Sequence, residues 1–400
     1  MTNDLIRRRI EAQERAQLVP CATRSADTRG RSYPSSEHAY RSVYQRDRDK
    51  VIYTPAFRRL QYKTQVFVNF EGDHYRTRLT HTIEATQIAR TIARALALNE
   101  DLVEAVVLAH DLGHAPFGHA SEDALDALMH QPSVARLLEG TGDPGGFEHN
   151  LQSLRIVDRL EGHSPDHPGL NLSWEVREGI CKHRFAPGHP ELAEFRQFPQ
   201  PSLEAQVADI ADEIAYDCHD VDDGLRAGLV TIKELEQNQV WREALATVAG
   251  QSDLEDEAEL RFRAVKTLID RLVTDVIETT LVNLDQAGVQ SADEVRQSPK
   301  PLVVFSPEIS PHTASLKSFL YRHVYYHYQV VRMKEKARRL ITEIFNAYVD
   351  QPEQLPAHVH QRLDKVPLPR AICDYLAGMT DRYALEEHRK LFEIDVRLLP

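Results

Sequence analysis

The densest group of side chains capable of chemistry lies in the segment AHDLGHAPFGHASE, residues 109–122. Imidazole and carboxylate groups fall within these fourteen positions at His110, Asp111, His114, His119 and Glu122. Both groups bind divalent transition metals, and imidazole also exchanges a proton near neutral pH. This segment therefore suits both metal binding and proton transfer.

Further metal ligands have to come from other parts of the chain. Neighbouring side chains on a helix point about 100° apart, so His110 and Asp111 share an ion only when other helices complete its coordination. The segment LTHTIEA (residues 79–85) offers His81, and ADIADEIAYDCHDVDD (residues 208–223) offers Asp212. Two imidazoles and two carboxylates would leave positions open for water and substrate on an octahedral ion.

The elements that have to position these groups are predicted to be helices. Apolar residues recur three and four positions apart, as in amphipathic helices, over residues 79–98, 101–112, 122–129, 147–160, 173–183, 203–225, 257–284 and 315–349. The best strand candidate, QVFVNF at residues 65–70, stands alone. We therefore predict an all-α helical bundle with at most a small β-hairpin. Loops are expected at residues 131–146, 184–202 and 289–311.

Composition and charge restrict the class of protein. Hydrophobic residues make up 42% and charged residues 27%, which is typical of folded globular proteins. The net charge of −13 argues against a surface built throughout for nucleic acid. No apolar run suits a membrane span or a signal peptide, and the four cysteines lack CxxC spacing. We therefore predict a cytoplasmic protein with reduced thiols and no membrane association.

The lone His81, the His110–Asp111 doublet about thirty residues later and the distant Asp212 resemble the signature of the HD superfamily of metal-dependent phosphohydrolases. Six ordered segments further resemble the motifs of the deoxyguanosine triphosphate triphosphohydrolase (dGTPase-like) family. They are FRRLQYKTQVF, RLTHTIEA, AHDLGHAPFGHASE, GGFEHN, ADEIAYDCHDVDDGL and LKSFLYRHVYYH. Together they extend over residues 57–327, most of the chain.

The resemblance implies hydrolysis of a deoxynucleoside triphosphate at its α-phosphorus, with release of a deoxynucleoside and inorganic triphosphate. It also implies that His81, His110, Asp111 and Asp212 bind one divalent ion. This ligand set accepts Mg, Mn, Fe, Co, Ni or Zn. Such an ion neutralises phosphate charge and activates water.

The resemblance also assigns the groups around the substrate. His119 is similar to the family's catalytic histidine, and Glu122 to the carboxylate that orients it. A carboxylate partner raises the pKa of an imidazole and keeps the acid form available to protonate the leaving alkoxide. His114 and His149 match further histidines beside the α-phosphate. Phosphate or deoxyribose contacts are implied for Arg78, Gln65, Tyr216, Asp220, Lys317, Tyr325 and His327.

One residue departs from the pattern of some relatives. There, a lysine that contacts phosphate follows the last metal-binding aspartate, whereas this chain has Glu213. Positive charge for the phosphates would then come from Arg78 and Lys317, with Arg58, Arg59 and Lys63 as further candidates.

The expected organisation has three parts. Residues 1–56 form an N-terminal helical extension, residues 57–228 the HD phosphohydrolase core, and residues 229–400 a C-terminal helical region that completes the nucleotide pocket, as one continuous unit with the core. The resemblance also implies a homo-oligomer.

Two other hypotheses compete with the triphosphohydrolase. The first is a different HD phosphohydrolase, such as a 5′-deoxynucleotidase or a cyclic-nucleotide phosphodiesterase. The second is a nucleotide sensor or single-strand-binding protein with weak catalysis. No feature of the sequence supports single-stranded nucleic acid as a partner, and the retained His119 and Glu122 argue against a pure binder.

Overall fold

A computed structural model describes residues 3–65, 76–162, 164–181, 189–249 and 256–394. Within these ranges the chain forms helices that we number in order: α1 (Asn3–Gln17), α2 (Val43–Ile52), α3 (Pro55–Arg59), α4 (Arg78–Ala95), α5 (Glu100–His110), α6 (His119–Met129), α7 (Pro132–Leu138), α8 (His149–Arg155), α9 (Trp174–Ile180), α10 (Leu203–Arg226), α11 (Ile232–Leu235), α12 (Gln239–Ala249), α13 (Glu257–Ala287), α14 (Ala292–Arg296), α15 (Ser310–Leu320), α16 (Tyr328–Asp350), α17 (Ala357–His360), α18 (Leu368–Ala377) and α19 (Asp381–Phe392). Among these described residues, β structure is limited to two isolated bridges. The predicted all-α fold is confirmed, and the strand candidate at 65–70 lies, apart from Gln65, outside the described residues.

Several predicted boundaries need correction. The helix predicted over 315–349 is interrupted, because α15 continues into a π-helical turn at Tyr321–Tyr325 and the chain is extended at His327 before α16 begins. Tyr, His and Val, which fill this stretch, are weak helix formers. The predicted loops at 131–146 and 289–311 contain the short helices α7 and α14. Pro132 and the Ser291 cap are helix starts, not loop signals.

Three helices at the centre of the fold carry the candidate site. Helix α10 packs against α4 and α5, and α4 also packs against α5. Helix α5 begins at Asn99, whose side chain accepts a hydrogen bond from the backbone N–H of Leu102. A cap of this kind contributes about 1 kcal/mol to helix stability. Because the three helices meet along apolar faces, His81, His110 and Asp111 are brought together in buried positions, next to the partly exposed Asp212.

A second hydrophobic core joins the C-terminal helices to the middle of the chain. It combines Leu125 and Met129 of α6 with Ile344 of α16 and Ile372 of α18. Helix α6 is therefore held by the C-terminal region. The larger core includes residues on both sides of positions 56 and 228. The three-part division stays a prediction. None of the described helices combines the length and the apolar character needed to cross a membrane.

Candidate active site

The predicted metal ligands come together where α4, α5 and α10 meet. Asp212 Oδ1 lies 2.9 Å from His81 Nε2 and 3.3 Å from His110 Nε2, and Asp111 Oδ1 lies 3.1 Å from His110 Nε2. Adjacent ligands at right angles on an ion with bonds of about 2.1 Å would be about 3.0 Å apart. The spacing of these donor atoms therefore fits a shared divalent cation.

The ring of His110 is oriented by its own helix. Its Nδ1 donates to the carbonyl oxygen of Val107 at 2.5 Å, which leaves Nε2 to face the carboxylates. Burial lowers the pKa of His110, but the charges of Asp111 and Asp212 outweigh this effect and raise the pKa to about 10. The cluster thus concentrates negative charge that a bound cation would neutralise.

The ring of His81 is oriented by residues that the sequence analysis did not select. Its Nδ1 lies 3.1 Å from Nδ1 of His219, and Nε2 of His219 lies 2.9 Å from Oε2 of Glu84. Burial and the neighbouring His81 and Arg76 lower the pKa of His219 to about 4, against the opposing effect of Glu84. His219 lies one turn after Tyr216, a predicted sugar contact, on α10. Its position on the helix did not distinguish it from the neighbouring aspartates in the sequence.

A second polar cluster adjoins the first. His114 Nε2 lies 3.2 Å from Asp111 Oδ1, and the ring of His114 stacks on that of His149 at 3.9 Å. Glu122 Oε1 accepts hydrogen bonds from Nδ1 of His149 at 2.8 Å and from its backbone N–H at 3.0 Å. Two stacked rings cannot both aim in-plane lone pairs at one ion, so this cluster is better suited to proton exchange than to a second metal.

Two expectations about His119 need correction. Among the described residues Glu122 bonds His149, and no hydrogen bond or ion pair joins Glu122 to His119. Burial and Arg78 lower the pKa of His119 to about 4 against the opposing charge of Glu122, whereas the hydrogen bond to Glu122 raises the pKa of His149 in spite of burial. Glu122 therefore favours the protonated form of His149, to which it is hydrogen-bonded.

Gly113 explains why α8 comes so close to this cluster. A Cβ atom at Gly113 would lie 2.1 Å from the carbonyl oxygen of His149 and 2.3 Å from the backbone nitrogen of Ser153. The side chain of Ser153 accepts from the N–H of Gly113 and donates to the carbonyl oxygen of His110, at 2.8 and 2.6 Å. Only glycine fits here, and its absence of a side chain lets His149 stack on His114.

Arg78 presents unused hydrogen-bond donors beside both clusters. Its Nη1 lies 3.2 Å from Oδ2 of Asp111. Its Nε and Nη2 are buried and have no hydrogen-bond partner in the described part of the protein. Buried donors are rarely left unsatisfied, because an unmade bond costs about 1–3 kcal/mol. The unpaired face of the guanidinium therefore suits an anionic ligand.

A cavity of about 690 Å³ opens next to these groups. Of the predicted substrate-binding residues, those in its wall are Gln65, Tyr216, Lys317 and Tyr325, together with His119. The rings of Tyr216 and Tyr325 are nearly parallel, 23° apart in plane, with centroids separated by 6.3 Å. The structure thus brings these residues, distant in sequence, around one space.

Like Arg78, the predicted contact residues Asp220 and His327 are not in the cavity wall. Asp220 is only 1% exposed, and its Oδ2 has no hydrogen-bond partner among the described residues. His327 lies at the start of α16, against the ring of Tyr328. Their predicted sugar or phosphate contacts stay predictions.

The unusual Glu213 is paired with a predicted phosphate ligand. Lys317 Nζ lies 2.5 Å from Oε1 of Glu213. Of the other candidate cations, Arg59 pairs with Glu161 at 3.0 Å, and Lys63 is buried, donating to the carbonyl oxygens of His114 and Ala377. Lys317 is therefore the lysine of this set that reaches the cavity.

Asp381, at the start of α19, was also missed. Its Oδ1 accepts from the backbone N–H of Phe117 at 2.8 Å, and its Oδ2 accepts from the N–H of Thr64 at 2.9 Å and from the Thr64 hydroxyl. Phe117 has φ +60°, and Gly118 has φ +65° just before His119 begins α6. The C-terminal region thus supports a turn that few residue types adopt without strain.

Comparison with known proteins fits this arrangement. The HD domain family matches residues 78–217, and the phosphohydrolase-associated domain family matches residues 303–390. The chain is 48% identical over 386 residues to the deoxyguanosinetriphosphate triphosphohydrolase-like protein of Geobacter sulfurreducens, with 96% of this chain and 97% of the relative covered. It is 50% identical over 382 residues to the like-named protein of Thiobacillus denitrificans, with coverages of 94% and 98%. The chain belongs to the dGTPase-like family.

The two matched regions of this dGTPase-like protein divide the site between them. Residues 78–217 contain His81, His110, Asp111 and Asp212, whereas residues 303–390 contain Lys317 and the other cavity residues of α15 and α16. The chain is an HD-type phosphohydrolase, as its resemblance implies. A His/Asp cluster able to hold a divalent metal is present in it.

Proposed function

We propose that this protein hydrolyses deoxynucleoside triphosphates at the α-phosphorus, releasing a deoxynucleoside and inorganic triphosphate. The observation that carries the proposal is the buried Arg78, which contacts Asp111 through Nη1 while its Nε and Nη2 have no partner in the described part of the protein. A phosphate group suits such donors.

We further propose that His81, His110, Asp111 and Asp212 hold one divalent ion. The fit rests on the two nitrogen and two oxygen donors and on their spacings of 2.9–3.3 Å. When bound, such an ion supplies positive charge to the phosphoryl oxygens and activates water. The donor set does not select among Mg, Mn, Fe, Co, Ni and Zn.

Arg78 and Lys317 would both bind the phosphates. Arg78 donates through Nε and Nη2, while Lys317 shares its charge between Glu213 and the triphosphate. The pair with Glu213 keeps the ammonium group at the cavity wall. In that pair Glu213 competes with phosphate for the ammonium group of Lys317.

His119 would protonate the leaving 5′-oxygen. It is neutral near pH 7 in the free protein because burial and Arg78 lower its pKa. A bound triphosphate brings negative charge next to the imidazole and partly cancels Arg78, which raises that pKa. The imidazole then takes up a proton from solvent and passes it to the 5′-oxygen as water adds to the α-phosphorus and the P–O5′ bond breaks. The hydrogen-bonded pair of Glu122 and His149 lies at the other side of His114.

The pocket would hold the deoxyribose between helices α10 and α15. We propose that Tyr216 lies against the sugar and excludes a 2′-hydroxyl, with Gln65 and Tyr325 as further contacts. Gln65 Oε1 and the Tyr325 hydroxyl are both buried without a hydrogen-bond partner in the described part of the chain. Polar groups of this kind become satisfied when a polar ligand binds.

The test is product analysis with the four deoxynucleoside triphosphates and Mg²⁺ or Mn²⁺. We expect deoxynucleoside and triphosphate in equal amounts, and no turnover by Asp212→Ala. Glu139 is exposed, so Glu139→Ala is the control variant and should be fully active. Release of pyrophosphate and a monophosphate would contradict the proposed bond cleavage. Turnover of deoxynucleoside monophosphates instead would favour a 5′-deoxynucleotidase.

A further inference from the structure

A row of hydrogen-bonded side chains runs behind His81, on the side away from the other proposed metal ligands. Nδ1 of His81 faces Nδ1 of His219 at 3.1 Å, and Nε2 of His219 lies 2.9 Å from Glu84. Glu84 is itself held by Arg76, whose Nε donates to it at 2.8 Å. His81 and His219 are both at most 3% exposed, so water does not replace these contacts.

Arg76 anchors the outer end of the row. Its Nη1 also donates to Asp222 at 2.9 Å and to Asp223 at 2.7 Å, both on α10. Glu84 on α4 and His219 on α10 are therefore bridged by ion pairs that join the two helices. This network fixes the carboxylate of Glu84 against the ring of His219.

The carboxylate of Glu84 determines which atom donates in each hydrogen bond of the row. A carboxylate only accepts, so Nε2 of His219 donates to Glu84. In a neutral imidazole the other nitrogen is then an acceptor, so Nδ1 of His219 accepts from Nδ1–H of His81. The proton of His81 is thereby held on Nδ1. Its Nε2 then carries a lone pair that faces Oδ1 of Asp212 at 2.9 Å, an arrangement that a cation bound by both atoms would satisfy.

We infer that His219, backed by Glu84, is a positioning residue that fixes the tautomer and ring orientation of His81 so that its Nε2 is free to bind a divalent cation. The carbonyl oxygen of Val107 does the same for His110 through the backbone. His81 lies in the first turn of α4, and its ring is oriented by side chains of another helix instead. The inference rests on the proposed metal site but not on the proposed reaction.

The experiment measures Mn²⁺ affinity of the full-length protein by titration calorimetry or chelator competition, without substrate. His219→Leu should weaken Mn²⁺ binding about 10- to 100-fold, the usual effect of removing a group that orients a ligating histidine. His219→Asn retains a carbonyl oxygen near the former Nδ1 and should recover much of the loss. This recovery separates positioning from simple packing.

His388→Leu is the matched control. Nε2 of His388 also pairs with a glutamate, Glu343, at 2.6 Å, but between α19 and α16 and outside the cavity wall. The Mn²⁺ affinity of His388→Leu should equal that of the wild type. Glu84→Ala is the second variant for use if His219→Leu does not fold, because the Glu84 side chain is 43% exposed and its loss is tolerated more easily.

Wild-type Mn²⁺ affinity in both His219→Leu and Glu84→Ala would overturn the inference. So would a wild-type protein that binds no divalent cation. A protein that binds Mn²⁺, loses it on His219→Leu and yet releases no triphosphate would support the inference while contradicting the proposed reaction.

Discussion

Glu122 accepts two hydrogen bonds from a single residue, His149, one from its ring Nδ1 and one from its backbone N–H. The first turn of α8 is thereby tied to α6, and the carboxylate raises the pKa of His149 although burial opposes this. The same contact leaves His119 without a carboxylate partner in the described structure. The histidine that pairs with Glu122 is thus His149, whereas the histidine in the cavity wall is His119.

Glu122→Gln should therefore act mainly through His149. We expect the pKa of His149 to fall, because the neutral amide no longer stabilises the imidazolium. We expect kcat to fall about 100-fold or more, in the range of lost acid–base assistance. Histidine titration by NMR and steady-state kinetics check both outcomes. Glu139→Gln, exposed at the end of α7, is the control; an unchanged His149 titration in Glu122→Gln would contradict the assignment.

His119 should make the protein less stable in mild acid. Its pKa is lowered to about 4 in the folded protein, against about 6.5 when unfolded. Between these values the unfolded chain binds a proton that the folded protein does not, so the free energy of unfolding falls as the pH falls. For one group the slope is about 1.4 kcal/mol per pH unit. Denaturant unfolding of wild type and His119→Asn at pH 7, 5.5 and 4.5 measures the free energy of unfolding. It should fall less steeply with pH in the variant. Equal falls in both proteins would exclude His119 as a source of the pH dependence.

Arg78→Gln should weaken binding of polyanions. Loss of a charged donor pair costs about 1.5–3 kcal/mol, which raises the Kd of inorganic triphosphate about 10- to 100-fold. Inhibition by added triphosphate is the measurement. Arg90→Gln is the control, because Arg90 lies on the same helix but pairs with Glu100 at the surface. Equal inhibition of both variants would remove Arg78 from the phosphate site.

Glu213 and Lys317 should have opposite effects on substrate affinity. Lys317→Gln removes a cation from the cavity wall and should raise KM, whereas Glu213→Gln frees Lys317 for phosphate and should lower it. Each change is expected to be a few-fold, since both side chains are at least one third exposed and such pairs contribute about 1 kcal/mol or less. A double-mutant cycle at low ionic strength measures their coupling. A higher KM in Glu213→Gln would mean that the glutamate itself serves the substrate.

Asp381→Ala should reduce turnover by disturbing the turn before His119. It leaves the backbone N–H groups of Phe117 and Thr64 unpaired, at a cost of about 1–3 kcal/mol each, and releases the turn that precedes His119. We expect a lower unfolding temperature and a lower kcat with nearly unchanged Mn²⁺ affinity. Asp364→Ala, on the surface before α18, is the control. Loss of Mn²⁺ binding together with activity would indicate general unfolding instead.

The sequence alone indicates the helices and the cluster of His81, His110, Asp111 and Asp212. Periodicity identifies long amphipathic helices well, whereas the ligand cluster was predicted from the joint pattern of His81, the His110–Asp111 doublet and Asp212, which resembles the HD signature. The same approach missed the break between α15 and α16, because apolar spacing continues across Tyr326 and His327 while local propensity does not favour a helix.

Contacts between residues distant in the sequence could not be predicted from periodicity or motif spacing. Glu122 and His149 are 27 positions apart, and their contact depends on α8 crossing the bare backbone of Gly113. His219 lies among aspartates whose spacing is that of a solvated face. Asp381 acts on a turn more than 250 positions earlier. Each pairing is produced by tertiary packing, which a linear pattern does not contain.

The support that Asp381 gives to the turn before His119 implies that this protein can fail in two stages. Loosening of α19 would disturb the proton donor first, while the cation ligands on α4, α5 and α10 stay in register. A protein damaged at its C-terminal end would then still retain metal but turn over no substrate, so metal content would be a poor measure of whether a preparation is active.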